Sequence, residues 1–278
     1  MFVFRRTLAV TLPMFLLVVL AHGVTWTSID FPGSAETYGR GVNSSGDVVG
    51  FFFDGHQYHG FLFQSGIYSA IDFPGSTGTV VDGVNDSDDV VGQYVDNNRG
   101  RHGFVTVGGT FVTLDPPGST SAEAFGINSA GLVAGTFQTS DGVHHGFKYV
   151  NGTFTIIDLP GKFDTQIFGV DSAGDFVGLY NTTRAYAFIE GVLHPLRYPD
   201  TQTKIFGIND HRKLAGSVET RAVKAFVFTS GEFVLMNVPG QGSGRGSYAE
   251  AYGIDNNGDV VGTYQSDDLG IHGFLRQK

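Results

Sequence analysis

Histidine and aspartate recur in this sequence at fixed spacing, and both residue types can bind metal ions or transfer protons. Four histidines occupy one position of a repeated pattern: His59, His102, His145 and His272. Four aspartates stand two residues before a proline: Asp30, Asp72, Asp115 and Asp158. An active site is needed once, so residues that recur in most copies are better explained by the fold. We therefore expect each histidine to hydrogen-bond a turn or a neighbouring repeat and each aspartate to cap the turn that follows it, without a catalytic or metal-binding role.

One turn of the sequence resembles the start of a calcium-binding loop. Asp255, Asn257 and Asp259 place oxygen-bearing side chains at its first, third and fifth positions. A hand-type calcium loop needs glycine at the sixth position, where this chain has Val260. We predict that Asp255 caps a β-turn and that the protein has no cofactor, with calcium as the alternative.

Positions at which the repeats differ are better candidates for a binding site. A Gly-[Val/Ile]-[Asn/Asp] triplet begins at Gly41, Gly83, Gly126, Gly169, Gly207 and Gly253. Three residues before each triplet stand Tyr38, Val80, Glu123, Gln166, Lys204 and Glu250, and one residue before it stand Arg40, Asp82, Phe125, Phe168, Phe206 and Tyr252. The aromatic majority in the second set predicts packing between repeats. If these stretches converge on an axis, the predicted ligand-binding residues at the channel mouth are Tyr38, Arg40, Asp82, Glu123, Gln166, Lys204 and Glu250.

The elements that must position these residues form six repeats of roughly 42 residues. Nine residues after each triplet glycine comes a second one, at Gly50, Gly92, Gly135, Gly178, Gly216 and Gly262. Beyond it a small residue precedes Phe61, Phe104, Phe147, Phe188, Phe226 and Phe274. Each repeat contains four short stretches typical of β-strands, separated by turn residues and without helical periodicity. This pattern predicts an all-β protein built from four-stranded units, as in a β-propeller blade.

The ends of the repeat region are out of phase by one strand. The stretch 25–30 looks like the fourth strand of a repeat, whereas the stretch 272–275 looks like a third strand with no fourth after it. A closed ring explains this offset, because the N-terminal strand can complete the last blade and remove exposed sheet edges. We predict a six-bladed β-propeller closed by the N-terminal strand, with a β-solenoid as the alternative.

The repeat resembles the bacterial HAF-type extracellular repeat family, named for a His-Ala-Phe tripeptide. The residues that carry the resemblance are the glycine triplets, the Asp-X-Pro-Gly segments and the tripeptide, which here reads His-Gly-Phe in four copies. It covers all six repeats. The resemblance implies an extracellular bacterial protein and brings no specific activity.

The N-terminal segment predicts export. Arg5 and Arg6 precede an apolar run over 8–20, and small residues near Gly23 suit signal peptidase. We predict a signal peptide over 1–23 and one six-repeat propeller domain over 24–278, secreted or periplasmic and without a membrane span after cleavage. The chain has no cysteine, so no disulfide can stabilise it.

The net charge of the chain narrows the class of partner that it can bind. The full chain carries a net charge of −10, and loss of the two N-terminal arginines leaves 15 basic against 27 acidic residues. Such an acidic protein repels phosphate backbones, so we expect no nucleic-acid partner. We also expect a monomer. The leading functional hypothesis is a non-catalytic scaffold that binds a glycan, a peptide or a cell-surface partner. The alternative is an extracellular propeller hydrolase or lyase that acts on a sugar or a lactone through carboxylates near Asp82 and Glu123.

Overall fold

The computed structural model describes residues 23–244 and 246–278, which form 24 β-strands in six four-stranded antiparallel sheets. Blade 1 contains β2 (Glu36–Val42), β3 (Val48–Phe53), β4 (Tyr58–Gln64) and β5 (Ile67–Ile71). Blade 2 contains β6 (Gly78–Val84), β7 (Val90–Val95), β8 (Arg101–Val107) and β9 (Thr110–Leu114). Blade 3 contains β10 (Ser121–Ile127), β11 (Val133–Gln138), β12 (His144–Val150) and β13 (Thr153–Ile157). The first strands of successive blades contact one another around a central axis.

The remaining blades follow the same order. Blade 4 contains β14 (Gln166–Val170), β15 (Phe176–Tyr180), β16 (Arg184–Ile189) and β17 (Val192–Pro195). Blade 5 contains β18 (Thr203–Ile208), β19 (Leu214–Glu219), β20 (Val223–Thr229) and β21 (Glu232–Leu235). Blade 6 contains β22 (Ala249–Ile254), β23 (Val260–Gln265), β24 (Ile271–Gln277) and, as its outermost strand, β1 (Thr25–Ile29).

The N-terminal strand closes the ring, as the sequence predicts. β1 pairs antiparallel with β24, with Thr25 opposite Gln277 and Ile29 opposite Gly273. Ile29 is fully buried in an apolar cluster that includes Val261 of blade 6 and Phe61 of blade 1. The prediction of a six-bladed propeller is confirmed, and the solenoid alternative is wrong.

The hydrophobic core lies between neighbouring sheets, where the repeated phenylalanine of the third strand is buried in every blade but blade 4. In blade 4 the sequence alignment of the repeats is wrong by two residues. Gly178 lies opposite Tyr186, just as Gly92 lies opposite Phe104, so Tyr186 and not Phe188 occupies this position. Tyr186 is fully buried, and its hydroxyl donates a hydrogen bond to the carbonyl oxygen of Gln166. A tyrosine with a partner for its hydroxyl can replace a buried phenylalanine.

The triplet glycines mark the tightest approach between blades. A Cβ atom at any of the six would lie 2.7 to 3.1 Å from a backbone atom of the next blade. At Gly207, for example, that atom is the carbonyl oxygen of Tyr252. No other residue type fits six converging first strands at this radius, which explains the recurrence of glycine.

The predicted signal peptide falls almost wholly on residues 1–22, outside the described part of the chain. Within residues 23–244 and 246–278, no helix has the length and apolarity that a membrane crossing requires.

Candidate functional site at the channel mouth

A β-bulge in every first strand sets the side chains that face the axis. In blade 1, Gly39 pairs with Gly50 and Gly41 with Val49, which leaves Arg40 without a partner on β3. The same register shift occurs in the other five blades, always at the residue before the triplet. A bulge of this kind re-aims the side chain of the extra residue. The six bulged residues line one cavity of about 80 Å³ on the axis and are named the floor ring: Arg40, Asp82, Phe125, Phe168, Phe206 and Tyr252.

The floor ring adds to one expectation from the sequence. Its aromatic residues do contact one another from blade to blade, and they also line the channel. The ring centroids are 5.1 Å apart for Phe125 and Phe168, and 5.8 Å for Phe168 and Phe206. Phe206 continues the series to Tyr252 at 4.6 Å. Three blades thus supply phenylalanine and a fourth supplies tyrosine, which forms an apolar wall over most of the channel.

Arg40 and Asp82 interrupt this wall with a buried ion pair. The guanidinium carbon of Arg40 lies 3.8 Å from the centroid of the Tyr252 ring, and its Nε atom lies 3.9 Å from Oδ1 of Asp82. The two side chains are 22% and 6% exposed, respectively. Among the described residues, Arg40 Nε and Asp82 Oδ2 have no hydrogen-bond partner. A buried polar atom without a partner is energetically costly, so these two atoms mark a place for a bound polar group.

Burial also changes the acidity of Asp82. Loss of solvent raises the pKa of the Asp82 carboxyl to about 7, although the positive charge of Arg40 acts in the opposite direction. The negative charge of Glu123 raises the pKa of Asp82 further. At neutral pH this carboxyl group can therefore accept or donate a hydrogen bond.

Above the floor ring lies a second ring of side chains, named the entry ring: Tyr38, Val80, Glu123, Gln166, Lys204 and Glu250. Burial alternates along each first strand, as in β2, where residues 36, 38 and 40 are half-buried and 37 and 39 are buried. Residues two apart share one face of a strand, so the entry ring and the floor ring face the same channel. The structure thus brings all seven predicted binding residues to one mouth of the channel.

Partners that the sequence did not indicate hold the entry ring in place. Glu250 accepts hydrogen bonds from the Tyr252 hydroxyl, at 2.5 Å, and from the Ser217 hydroxyl, at 3.0 Å. Lys204 Nζ lies 3.6 Å from Glu250, on the neighbouring blade.

The other polar residues of the entry ring are held in the same way. Arg101 lies 2.6 Å from Glu123, Tyr38 donates to Glu36 and Gln166 donates to Asp164. No motif in a single sequence indicates these pairings, because the partners lie on other strands or only two residues away along the chain.

The opposite mouth of the channel is lined by six turns, and each turn begins at the last residue of a triplet. Asn43 Oδ1 accepts hydrogen bonds from the backbone of Ser45 and Asp47, as expected for a capping residue, and Asn43 Nδ2 donates to the carbonyl oxygen of Asn85 in the next blade. In the predicted calcium-like turn, Asp255 accepts from the Asp259 backbone at 2.7 Å and so acts as a cap. In the described part of the chain, no three His, Cys, Asp or Glu side chains gather in a way that would hold a metal ion.

The repeated histidines and aspartates are partners of each other. The Nδ1 atom of His59 lies 3.0 Å from Asp72, and the pairs His102–Asp115, His145–Asp158 and His272–Asp30 have the same arrangement at 2.8 to 2.9 Å. Each histidine also stacks on an aromatic ring of the second strand. The expected contact with a turn is present at Nε2 in three of these blades. The aspartates bind histidine rather than cap the following turn, so the expectation for them was wrong.

In chemical terms, the mouth combines an apolar floor with a surrounding set of hydrogen-bonding groups. A ligand with one apolar face and several hydroxyl groups matches both. The axial cavity has room for a few water molecules or a hydroxymethyl group, so a larger ligand would rest on the entry ring and insert only a small polar group.

Comparison with solved structures finds six-bladed propellers. The Aleuria aurantia lectin, described as a six-bladed β-propeller with a novel fucose recognition mode, has a TM-score of 0.51 at 10% identity over 90% of this chain and 93% of the lectin. A mutant of AofleA from Arthrobotrys oligospora has a TM-score of 0.53 at 11% identity, over 91% of this chain and 86% of that one. A gluconolactonase from Xanthomonas campestris has a TM-score of 0.48 at 12% identity, over 90% and 94%. No family model matches the sequence, and no curated protein is significantly similar to it. At identities this low, the structural similarity shows a common fold and nothing more. The chain is an all-β, six-bladed propeller with four-stranded blades.

Proposed function

We propose that this protein is an exported, non-catalytic propeller that binds a neutral carbohydrate at the channel mouth. The observation that carries the proposal is the buried Arg40–Asp82 pair, whose atoms Arg40 Nε and Asp82 Oδ2 have no hydrogen-bond partner among the described residues. A sugar hydroxyl can accept from Arg40 Nε and donate to Asp82 Oδ2 at once, because a hydroxyl is both donor and acceptor.

The surroundings of the pair support a carbohydrate over a peptide or an ion. The ionised form of Asp82 balances the charge of Arg40, and this form favours a neutral ligand. The aromatic wall of the floor ring suits the C–H face of a sugar, and the carboxylates, amide and ammonium group of the entry ring suit its hydroxyls. The Aleuria aurantia lectin, which has a similar fold, has been solved in complex with Fucα1-6GlcNAc, and this likeness supports a carbohydrate ligand here.

Export and family membership are part of the proposal. The basic and apolar N-terminal segment supports a cleaved signal peptide and a secreted or periplasmic location. The triplets and the His-Gly-Phe tripeptides support membership of the bacterial HAF-type repeat family.

The test is a glycan array probed with the purified mature protein, with and without calcium. The informative variant is the double substitution Arg40→Phe with Asp82→Phe, because three other blades carry phenylalanine at this position and the variant should fold. We expect saturable binding by the wild-type protein and at least a tenfold loss in the variant. Glu232→Gln, at an exposed position on β21, serves as the control and should bind normally.

A second candidate function is hydrolysis or elimination on a sugar or lactone. It is favoured by the raised pKa of Asp82, about 7, beside the carboxylate of Glu123, since a carboxyl group with such a pKa can act as a general acid. The same array ligands, assayed for new reducing ends or opened lactones, distinguish the two functions. Turnover that Asp82→Asn abolishes would replace the binding proposal with the enzymatic one. Carbohydrate binding that survives the double substitution Arg40→Phe with Asp82→Phe would refute the binding proposal.

A further inference from the structure

A large cavity lies away from the channel, between blades 4 and 5. It has a volume of about 540 Å³, within the range of small-molecule sites. Tyr180, Arg184, Leu196, Arg197 and Asp200 are among its lining residues. This cavity is named the rim cleft.

The rim cleft lies where blade 4 lacks two features of blades 1, 2, 3 and 6, and blade 5 lacks them too. In blades 1, 2, 3 and 6, four or five residues connect the second and third strands, whereas residues 181–183 alone connect β15 to β16. In those four blades a histidine fills the space between this connection and the fourth strand. In blade 4, as in blade 5, the shorter turn and the absence of the histidine remove the groups that fill this space in the other four blades.

The register between β16 and β17 shows which residues of blade 4 replace the histidine–aspartate pair found in four other blades. Tyr186 lies opposite Pro195, and the Leu196 backbone donates to the carbonyl oxygen of Ala185 at 2.9 Å. Continuing this register by one residue places Arg184 at the histidine position and Arg197 at the aspartate position. Blade 4 therefore has two arginines where four other blades have a histidine–aspartate pair.

Two like charges that face each other across neighbouring strands destabilise the pairing, and β17 ends at Pro195, two residues before Arg197. Arg184 and Arg197 are both exposed, and within the described residues neither has a carboxylate within ion-pair distance. A third cation lies nearby, because Lys162 Nζ is 5.1 Å from the centroid of the Tyr180 ring. Asp200 is the one carboxylate that lines the cleft. This concentration of positive charge is unusual on a chain with a net charge of −10.

We propose that the rim cleft is a second binding site, which takes a carboxylate or sulfate oxyanion; that a saccharide carries this anion rests on the proposed function. The planar guanidinium group binds a carboxylate or a sulfate with two parallel hydrogen bonds, and two such groups facing each other can hold one anion between them. The anion supplies the negative charge that aspartate supplies in the other blades. The volume of the cleft accommodates the sugar ring that carries the anionic group.

The experiment measures binding of oligogalacturonate, a carboxylate ligand, by titration calorimetry. The key variant is Arg184→His with Arg197→Asp, which installs the pair that four blades already contain and should therefore fold. We expect the wild-type protein to bind, the affinity to fall with added salt, and the variant to lose at least tenfold in affinity.

Controls separate this site from the channel mouth and from general charge effects. Arg99→His with Lys278→Asp makes an equal change of charge at exposed positions in blades 2 and 6, and should bind as the wild type does. The floor-ring variant Arg40→Phe with Asp82→Phe should also retain oligogalacturonate binding. Methyl-esterified oligogalacturonate tests the need for charge, and a sulfated oligosaccharide tests whether sulfate serves as well as carboxylate.

The outcomes are decisive for the rim cleft. Binding of either anionic ligand that the blade 4 variant abolishes supports the proposal and identifies the anion. Equal binding by the variant and the wild type overturns it, as does the absence of binding to both anions by a wild-type protein whose melting curve is cooperative. Should the double variant fail to fold, Arg197→Gln alone must weaken binding.

Discussion

The residue that ends each glycine triplet makes hydrogen bonds within its own turn and, where it is asparagine, to the next blade. The Nδ2 atoms of Asn43, Asn85, Asn128 and Asn209 each donate to the backbone carbonyl at the equivalent position of the following blade, at 2.7 to 3.3 Å. Blades 4 and 6 carry Asp171 and Asp255 instead. A carboxylate can cap the turn, but it cannot donate across the junction. Burial raises the pKa of both aspartates, so their ionised forms are disfavoured.

We expect Asp171→Asn to stabilise the protein by about 1 kcal/mol at neutral pH, since it adds the missing hydrogen bond to Asn209 and removes a buried charge from a side chain only 3% exposed. The folded-state pKa of Asp171 is raised, so the folded protein holds this proton more tightly than the unfolded chain does. The wild type therefore loses stability as the pH rises above the ordinary aspartate pKa of about 4, and the advantage of the variant should shrink below that pH.

Urea denaturation of the two proteins at pH 7 and pH 3.5 measures this difference. Asn128→Asp is the mirror-image control and should destabilise the fold, because it removes the bond to Asp171. Equal stability of Asp171→Asn and the wild type at pH 7 would contradict the proposed cost of the missing hydrogen bond and the buried charge.

At the scale of strands, the sequence predicted most of the architecture because each strand repeats six times. A turn signal that is ambiguous in one copy becomes reliable when it recurs about every 42 residues. The one-strand offset between the two ends of the repeat region predicted that the blades close into a ring. The predicted binding residues do meet at one mouth, because a position in a repeat fixes its radius and height in a ring. The bulge at the floor ring was not predictable from alternation, since alternation alone would place Arg40 and its neighbour Gly41 on opposite faces of an unbroken strand. The contacts between blades, such as that between Lys204 and Glu250, also depend on positions that a single sequence does not relate.

The tight approach of the first strands makes a specific prediction about glycine. At Gly207 a Cβ atom would lie 2.7 Å from the Tyr252 carbonyl oxygen, and backbone of two blades must move apart to admit it. We expect Gly207→Ala to destabilise the fold by about 1 to 3 kcal/mol, the usual effect of overpacking. Gly78→Ala, in the first strand of blade 2, is the matched control, because its nearest neighbour would be 3.7 Å away. Thermal melts of both variants test this, and a Gly207→Ala melt no lower than that of Gly78→Ala would show that the ring can expand freely.

At the scale of the whole molecule, one short strand determines whether the six blades form a ring. Each of the other five blades is continuous in sequence, whereas blade 6 joins β24 to a strand more than 240 residues away. Without β1 the edge of β24 would be exposed, and an open edge of a sheet pairs readily with other chains. The burial of Ile29 and the contact between Trp26 and Phe274, with ring centroids 5.7 Å apart, add side-chain packing to the five paired residues.

A chain that begins at residue 31 should therefore be less stable by more than the 2 to 5 kcal/mol typical of truncating one buried aliphatic side chain, and it should self-associate through β24. A synthetic peptide of residues 24–30 should restore both the melting temperature and the monomeric state, because its backbone and Ile29 can refill the vacant position. The same peptide with Ile29→Asp should fail, since a carboxylate would be buried among Val261, Phe61 and Leu275. Light scattering measures self-association and melting curves measure stability, both with and without each peptide. A truncated chain that stays monomeric with an unchanged melting temperature would mean that contacts between blades 6 and 1 close the ring without β1.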